Sequence, residues 1–284
     1  MAIAVSPPNS TPSARRSAER RRRDPGRLSA WAERSAWIYL VGIFVFLFLP
    51  NVLVAIMSFD RDRITGFPIE QFSTTWWWGL FANSIIWSAV ESSFVVATTT
   101  TILAVLLGLL SAYAILRFHF PGKRLFLGLL FGAMVIPYLV FGIALLSFYA
   151  LLSIERGLTT VILAHVALAL PYTTLVLMAR LQGFDRSIEE VAASLGAGRL
   201  VIFLRVTMPQ LLAGIIAGAA LAFTTSFDEF NVAYFVIGVR NTTIPLYIYS
   251  SLRFGVSPEL NALATLTLGV SIALGAVALR RSRL

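Results

Sequence analysis

Cysteine is absent from this chain. It therefore forms no disulfide, offers no cysteine ligand to a metal, and leaves the redox compartment unmarked. Charge is nearly as scarce. Only 13% of the residues are Asp, Glu, Lys or Arg, against 57% hydrophobic, and the mean hydropathy is +0.80. A soluble domain of this length needs far more polar surface, so the class is an all-α, polytopic membrane protein. Lysine occurs once, as Lys123 in Pro121-Gly122-Lys123-Arg124. Neither the earlier glycine nor the following Ser/Thr of a phosphate-cradling loop accompanies it, which excludes a nucleotide site of that kind. If ATP drives this protein, another polypeptide binds it.

The two histidines, His119 and His165, stand far apart and have no cysteine partners, so no metal site is expected. His119 reads as a solvated loop residue and His165 as a pore or packing residue in a span. No nucleophile–base pair appears, and no catalytic residue is expected.

What the chain does have is apolar length. Residues 1–34 are rich in Ser, Pro, Ala and Arg, including Arg20-Arg21-Arg22-Arg23; they lack the apolar content to fold and read as a basic cytoplasmic arm. Arg15-Arg16 makes a poor twin-arginine signal, so the arm is expected to stay attached. Residues 35–284 form the membrane domain, with six apolar segments at about 38–57, 85–116, 125–150, 159–181, 211–237 and from 258 onward. Each is long enough for a hydrocarbon core of roughly 30 Å. Pro137 and Pro171 fall inside the third and fourth, where a kink or a freed carbonyl is expected. Trp76-Trp77-Trp78 reads as an interfacial anchor, and Ser257-Pro258 as the start of the last helix. With the N-terminus inside, 18 of the 23 Lys and Arg residues fall on the cytoplasmic side. The positive-inside bias therefore predicts both termini in the cytoplasm of a multi-pass inner-membrane protein. The arginine run serves as a topology anchor under that reading, and nucleic acid is not an expected partner.

Between the fourth and fifth segments, Asp185–Pro209 is the longest internal stretch that is plainly not a span. Ser187 with Glu190 predicts a capping box, Ile188–Leu195 a short amphipathic helix, and Gly196-Ala197-Gly198 a sharp break. A second helix is expected from Arg199 toward Pro209. The stretch Glu190, Ala192, Ala193, Leu195, Gly196 and Pro209 resembles the coupling loop of ABC importer permeases, with Val191, Val206 and Met208 as conservative departures. Ala179–Asp185, Pro245–Ser250 and Gly255–Thr265 resemble the spermidine/putrescine permeases within that group. The resemblance covers about residues 59–279. It implies a type I importer permease fold and half of a translocation path for polyamines. It further implies a second permease subunit, two ATP-binding subunits docking on residues 185–209, and an extracytoplasmic substrate-binding protein. ATP and Mg belong on the ATPase subunits, leaving no cofactor on this chain.

Asp228-Glu229 in the fifth segment and Glu91 in the second are the acids that need an explanation, because an ionised group at membrane depth costs roughly 3 kcal/mol unless it faces protein or water. They read either as a cation-attracting site, with Phe227, Tyr234 and Tyr249 supplying rings, or as interfacial carboxylates that cap a helix. The resemblance implies the former for Asp228. Other solutes, such as opines or amino acids, fit the same architecture. A proton-coupled carrier using Asp228 or Glu91 is the reading from another class, although no internal repeat is visible.

Overall fold

A computed structural model describes residues 30–62, 66 and 68–282. The residues before Ala30, which hold most of the expected basic arm, lie outside the described residues. The chain divides into two compact units, one ending at Leu53 and the other beginning at Val54. Among the described residues the first unit is most of helix α1 (Ala30–Met57), which begins within the expected arm at Ala30. Its side chains from Trp37 to Leu49 include a run of exposed large apolar groups, as a lipid-facing helix requires.

In the second unit, a short apolar helix, α2 (Thr75–Ala82), leads into α3 (Ser84–Arg117). The Asn83 side chain caps α3 by accepting from the Ile85 and Ile86 amides. Trp77 of α2 stacks on Phe59 with ring centroids 5.5 Å apart. The third segment is divided into α4 (Lys123–Gly132) and α5 (Tyr138–Leu151). Pro137 is the N-cap of α5, so this proline interrupts the helix instead of kinking it: its ring cannot donate to the ladder and restricts the residue before it. Pro171 has the milder outcome. Helix α6 (Leu158–Gln182) continues through it, while Thr173 and Thr174 return hydroxyl hydrogen bonds to the Leu170 carbonyl at 2.9 and 2.7 Å.

After α6 come α7 (Ser187–Ser194), α8 (Arg199–Ile202), a π turn (Phe203–Thr207) and α9 (Met208–Phe227). From Arg199 to Phe227 the helix is one rod of 29 residues. The second half of the loop thus flows into the fifth span without a stop at Pro209. The π turn explains how. The Met208 amide bonds the Phe203 carbonyl, an i−5 register, and Pro209 follows where the widened ladder has already changed step. At its far end α9 stops at Phe227, ten residues before the expected limit of Ile237. Short helices α10 (Ala233–Val236) and α11 (Ile244–Leu252) follow. Helix α12 (Pro258–Ser282) begins at the predicted proline, with Ser257 accepting from the Leu260 amide.

Among the described residues, α1, α3, α6 and the Arg199–Phe227 rod are long and apolar enough to cross a membrane, and α5 is a shorter apolar helix. The described residues contain no strand, only an isolated Asp60–Phe72 bridge. The fold is all-α. Helices α3, α6 and α9 pack together, and their contact is built from small residues: Ala104, Ala169 and Ala222, one from each helix, have no solvent exposure. In lipid there is little hydrophobic gain from helix association, so close backbone approach supplies the attraction. A Cβ on Gly108 of α3 would meet Thr173 Oγ1 at 2.8 Å, and Thr173 Oγ1 donates to the Ala104 carbonyl at 3.1 Å.

Candidate functional site

The loop at 185–209 is a helical hairpin with one side anchored and one side bare. Its first helix is capped by Asp185, whose Oδ1 accepts from the Ser187 amide at 2.9 Å. That hydrogen bond holds the Asp185 carboxyl below its ordinary pKa, so the cap persists until pH falls through that lowered value. The expected Ser187/Glu190 box is not formed, because the helix starts two residues after Asp185 and the aspartate reaches the free amide first. The exit is a Schellman turn: Ala197 N bonds Ala192 O at 3.1 Å and Gly196 N bonds Ala193 O at 3.0 Å. Gly196 has φ +85° there, whereas Gly198 has φ −67°. Gly196 alone needs glycine's freedom.

Glu190 is exposed, 3.6 Å from Arg186 Nε, and leaves the loop's outer face open. Ile188, Val191, Leu195 and Leu200 are exposed beside it, Leu195 to 84%. Ala192 is half-buried and Ala193 exposed. The neighbouring Glu189 does the anchoring. Its Oε2 lies 3.2 Å from Arg117 Nη2 at the end of α3, and its Oε1 accepts from Thr207 Oγ1 in the π turn at 2.7 Å. Sequence reasoning singled out Glu190 and missed Glu189. The available signal was helical spacing: Glu189 lies three residues before Ala192 and shares its inward face, while Glu190 is turned off it.

At the other end of α9, about 30 Å away at 1.5 Å per residue, the helix breaks at an acidic pair. Asp228 is the C-cap of α9 and lines a cleft of about 420 Å³ with Ile244, Ile248, Thr267 and Ser271. Thr267 and Ser271 are four residues apart on α12 and so present hydroxyls on one face. Glu229 is only 6% exposed. It caps α10, accepting from the Val232 amide at 2.9 and 3.0 Å and from Ala233 at 2.9 Å. Glu229 is thus a buried structural carboxylate and does not line that cleft, a correction that follows from the early stop of α9. Once the helix ends, the free amides of the next turn recruit the nearest carboxylate.

Glu91 is exposed on α3, three residues before Phe94. Phe94 packs edge-on against Phe227 at 5.3 Å, which puts Glu91 at the Asp228 end of the bundle. Phe227 itself is 3% exposed and belongs to the core, so it supplies no open ring. Tyr234 and Tyr249 do come together, 5.8 Å apart around Phe230. Neither lines the Asp228 cleft, and the Tyr249 ring already has Arg253 at 5.7 Å. His165, left open between pore and packing, is buried against Ser226 and Glu229. Among the described residues no group of three or more metal-ligating side chains forms.

Comparison with known proteins agrees with this layout. Residues 104–282 match the family model described as binding-protein-dependent transport system inner membrane component. The chain is 36% identical over 247 residues to the spermidine/putrescine transport system permease protein PotC of Haemophilus influenzae, covering 87% of this chain and 95% of that one. It is 37% identical over 255 residues to the putrescine transport system permease protein PotI of Escherichia coli K12, covering 86% and 90%. Among solved structures, a chain of a bacterial ABC transporter involved in the import of the acidic polysaccharide alginate superposes with a TM-score of 0.70 at 14% identity. It covers 89% of this chain and 95% of that one, a likeness of fold alone.

Proposed function

The chain belongs to the family of binding-protein-dependent transport system inner membrane components, and from that premise we propose that it forms half of the translocation path of an ATP-driven polyamine importer. One observation carries the choice of cargo. A single carboxylate, Asp228, stands in a cleft otherwise lined by apolar and hydroxyl side chains. Such a cleft favours a flexible cation with methylene spacers over a neutral solute and repels an anion. The similarity to PotC and PotI over most of the chain supports the same cargo.

The remaining parts follow from the two ends of the Arg199–Phe227 rod. The exposed apolar tip of Ile188, Val191, Leu195 and Leu200 is a surface for a partner, since such a patch on a loop is not left bare in a working assembly. That partner is an ATP-hydrolysing subunit, two copies of which serve this chain and a second permease. ATP and Mg are held there. The arginine distribution supports a cytoplasmic position for this loop and both termini, and in that orientation the Asp228 cleft faces the extracytoplasmic binding protein. When the ATPase pair closes on ATP, it moves the docked hairpin; Glu189 passes the displacement to Arg117 and Thr207, and the rod carries it to Asp228. Substrate enters the outward-facing cleft, and hydrolysis resets the assembly.

The test is uptake of labelled putrescine and spermidine by cells that lack their own polyamine importers and express this chain with its partner subunits. Uptake that requires this chain, with competition by unlabelled polyamine and not by neutral sugars or by opines, is the expected result. Uptake of an anion or a neutral solute in place of polyamine overturns the assignment of cargo.

A further inference from the structure

Asp228 and Glu229 are consecutive, yet one faces a cleft and the other the interior. The turn that separates them has little helix to hold it. Asp228 has φ −94° and ψ 0°, and its amide still bonds the Thr224 carbonyl at 3.2 Å. Beyond it, four residues pass before α10 begins. A break of this kind has many accessible backbone states, and a side chain displayed from it points in a definite direction only if its neighbours are fixed.

His165 of α6 fixes them. Its Nδ1 is 2.8 Å from Ser226 Oγ, and its Nε2 is 3.4 Å from Glu229 Oε2. Ser226 lies two residues before Asp228 and Glu229 one after, so a single imidazole touches the chain on both sides of the acid, through a hydrogen bond at Ser226 and through a buried contact at ion-pair distance, short of hydrogen-bond geometry, at Glu229. All three groups are buried, His165 at 2%, Ser226 at 5% and Glu229 at 6% exposure. The grip is also tied at its far side, because Glu229 is bonded to the Val232 and Ala233 amides, and the Thr160 hydroxyl of α6 donates to the Val236 carbonyl at 2.7 Å. Helix α6 thus holds both ends of the short connection.

We propose that His165 is a positioning residue for the Asp228 site: by bridging Ser226 and Glu229 it holds the helix break in the one conformation that turns Asp228 into the cleft. His165 does not touch the cargo. Its loss leaves Glu229 with its amide partners alone and frees Ser226, so the segment 227–231 samples other turns and Asp228 leaves the cleft. This rests on the reading of Asp228 as a path residue, but its test needs no transported substrate and so stands or falls apart from the choice of cargo.

The absence of cysteine makes the test direct. Asp228→Cys and, separately, Ser271→Cys are introduced into the full chain, assembled with its partner subunits in membrane vesicles, and reacted with a cationic methanethiosulfonate reagent. Adding His165→Leu is expected to slow modification at position 228 by roughly fivefold or more, while the rate at position 271, on α12 in the same cleft, changes by less than about twofold. His165→Gln, which retains a side-chain donor and acceptor, should restore most of the rate at 228. Unchanged modification at 228 in the His165→Leu background overturns the proposal, and so does an equal slowing at both positions, which marks general disorder. If His165→Leu does not assemble, Ser226→Ala removes one arm of the clamp and should slow modification at 228 in the same direction. No slowing there overturns the proposal as well.

Discussion

Glu189 Oε2 lies 3.2 Å from Arg117 Nη2, while its second oxygen accepts from Thr207 Oγ1 at 2.7 Å. One carboxylate therefore joins the first helix of the loop to the end of α3 and to the π turn that begins the fifth span. The ion pair falls short of hydrogen-bond geometry: Arg117 Nε and Nη2 are buried without a hydrogen-bond partner. Removing the carboxylate strands the guanidinium with nothing to balance it. Glu189→Ala should therefore destabilise the isolated protein by about 1–3 kcal/mol, read as a lowered Tm in detergent. Transport should fall further than stability does, because the hairpin then moves without dragging the spans. The exchanged pair Glu189→Arg with Arg117→Glu is expected to recover part of the Tm. Full transport by Glu189→Ala in the assembled importer excludes a transmitting role for this contact.

Gly196 and Gly198 flank one residue but face different demands. At φ +85° a side chain on Gly196 meets a strained backbone even though a Cβ there touches nothing within 4 Å. Gly196→Ala should cost about 1 kcal/mol and misdirect the second helix of the hairpin. Gly196→Pro should abolish the turn and uncouple ATP hydrolysis from substrate. Gly198→Ala, at an ordinary φ, should be close to neutral in Tm. Equal losses at both positions contradict the assignment of the turn to Gly196.

The core of α3, α6 and α9 makes a second contrast between glycines. A Cβ on Gly108 lands 2.8 Å from Thr173 Oγ1 and 3.3 Å from the Thr174 backbone amide nitrogen, while one on Gly128 of α4 meets nothing within 4 Å. Gly108→Ala should lower the Tm by pushing α3 and α6 apart, at a cost of about 1–3 kcal/mol. Gly128→Ala should leave it unchanged or raise it slightly. Thermal unfolding of the two variants side by side decides the matter.

Much of this architecture was legible in the residues. Long apolar runs, Ser257-Pro258 and the Gly196 turn each have a local cause, so α3, α6, α12 and the hairpin fall within a residue or two of expectation. The errors share another cause: competition for backbone hydrogen bonds, which a pattern of apolar residues does not reveal. Asp185 outcompeted Ser187 for the α7 cap. The helix expected from Arg199 toward Pro209 continues past that proline into the fifth span through a π turn. The Asp228-Glu229 pair looked like two acids in one span, but Glu229 capped α10 and ended α9 early. Helical spacing from Ala192 turns Glu189 and not Glu190 inward, but the partners it meets there, Arg117 and Thr207, are set by tertiary placement that no local motif carries. Tyr234, Tyr249 and Phe227 were grouped by composition; packing put Phe227 in the core and the two tyrosines in a cluster away from the Asp228 cleft.

The orientation is open to labelling in this cysteine-free chain. Ser194→Cys, at the exposed end of α7, should react with an impermeant maleimide only after the cytoplasmic face is opened. The opposite probe belongs at Val239, which is fully exposed. Val239→Cys should react in spheroplasts. Labelling of Ser194→Cys in intact spheroplasts reverses the topology and removes the docking loop from the ATPase side.

The charge at Asp228 is the step on which cargo selection turns. Ammonium groups meeting a carboxylate in a cleft walled by Ile244, Ile248 and Leu268 gain a charge-assisted hydrogen bond of about 1.5–3 kcal/mol. Asp228→Asn keeps size and hydrogen-bonding capacity and removes only the charge. Polyamine uptake should then fall by roughly ten- to a hundredfold, the rate equivalent of that energy. Asp228→Glu, which restores the charge one methylene further out, should recover part of it. Glu91→Gln should have a smaller effect, since Glu91 is exposed on α3 and outside the Asp228 cleft. Thr267→Val is the complementary probe, deleting a hydroxyl from the facing wall without touching charge, and should alter the preference between putrescine and spermidine more than the overall rate. Wild-type uptake by Asp228→Asn would show that the carboxylate serves the turn and not the cargo, and the choice of polyamine would then lose its physical support in this chain.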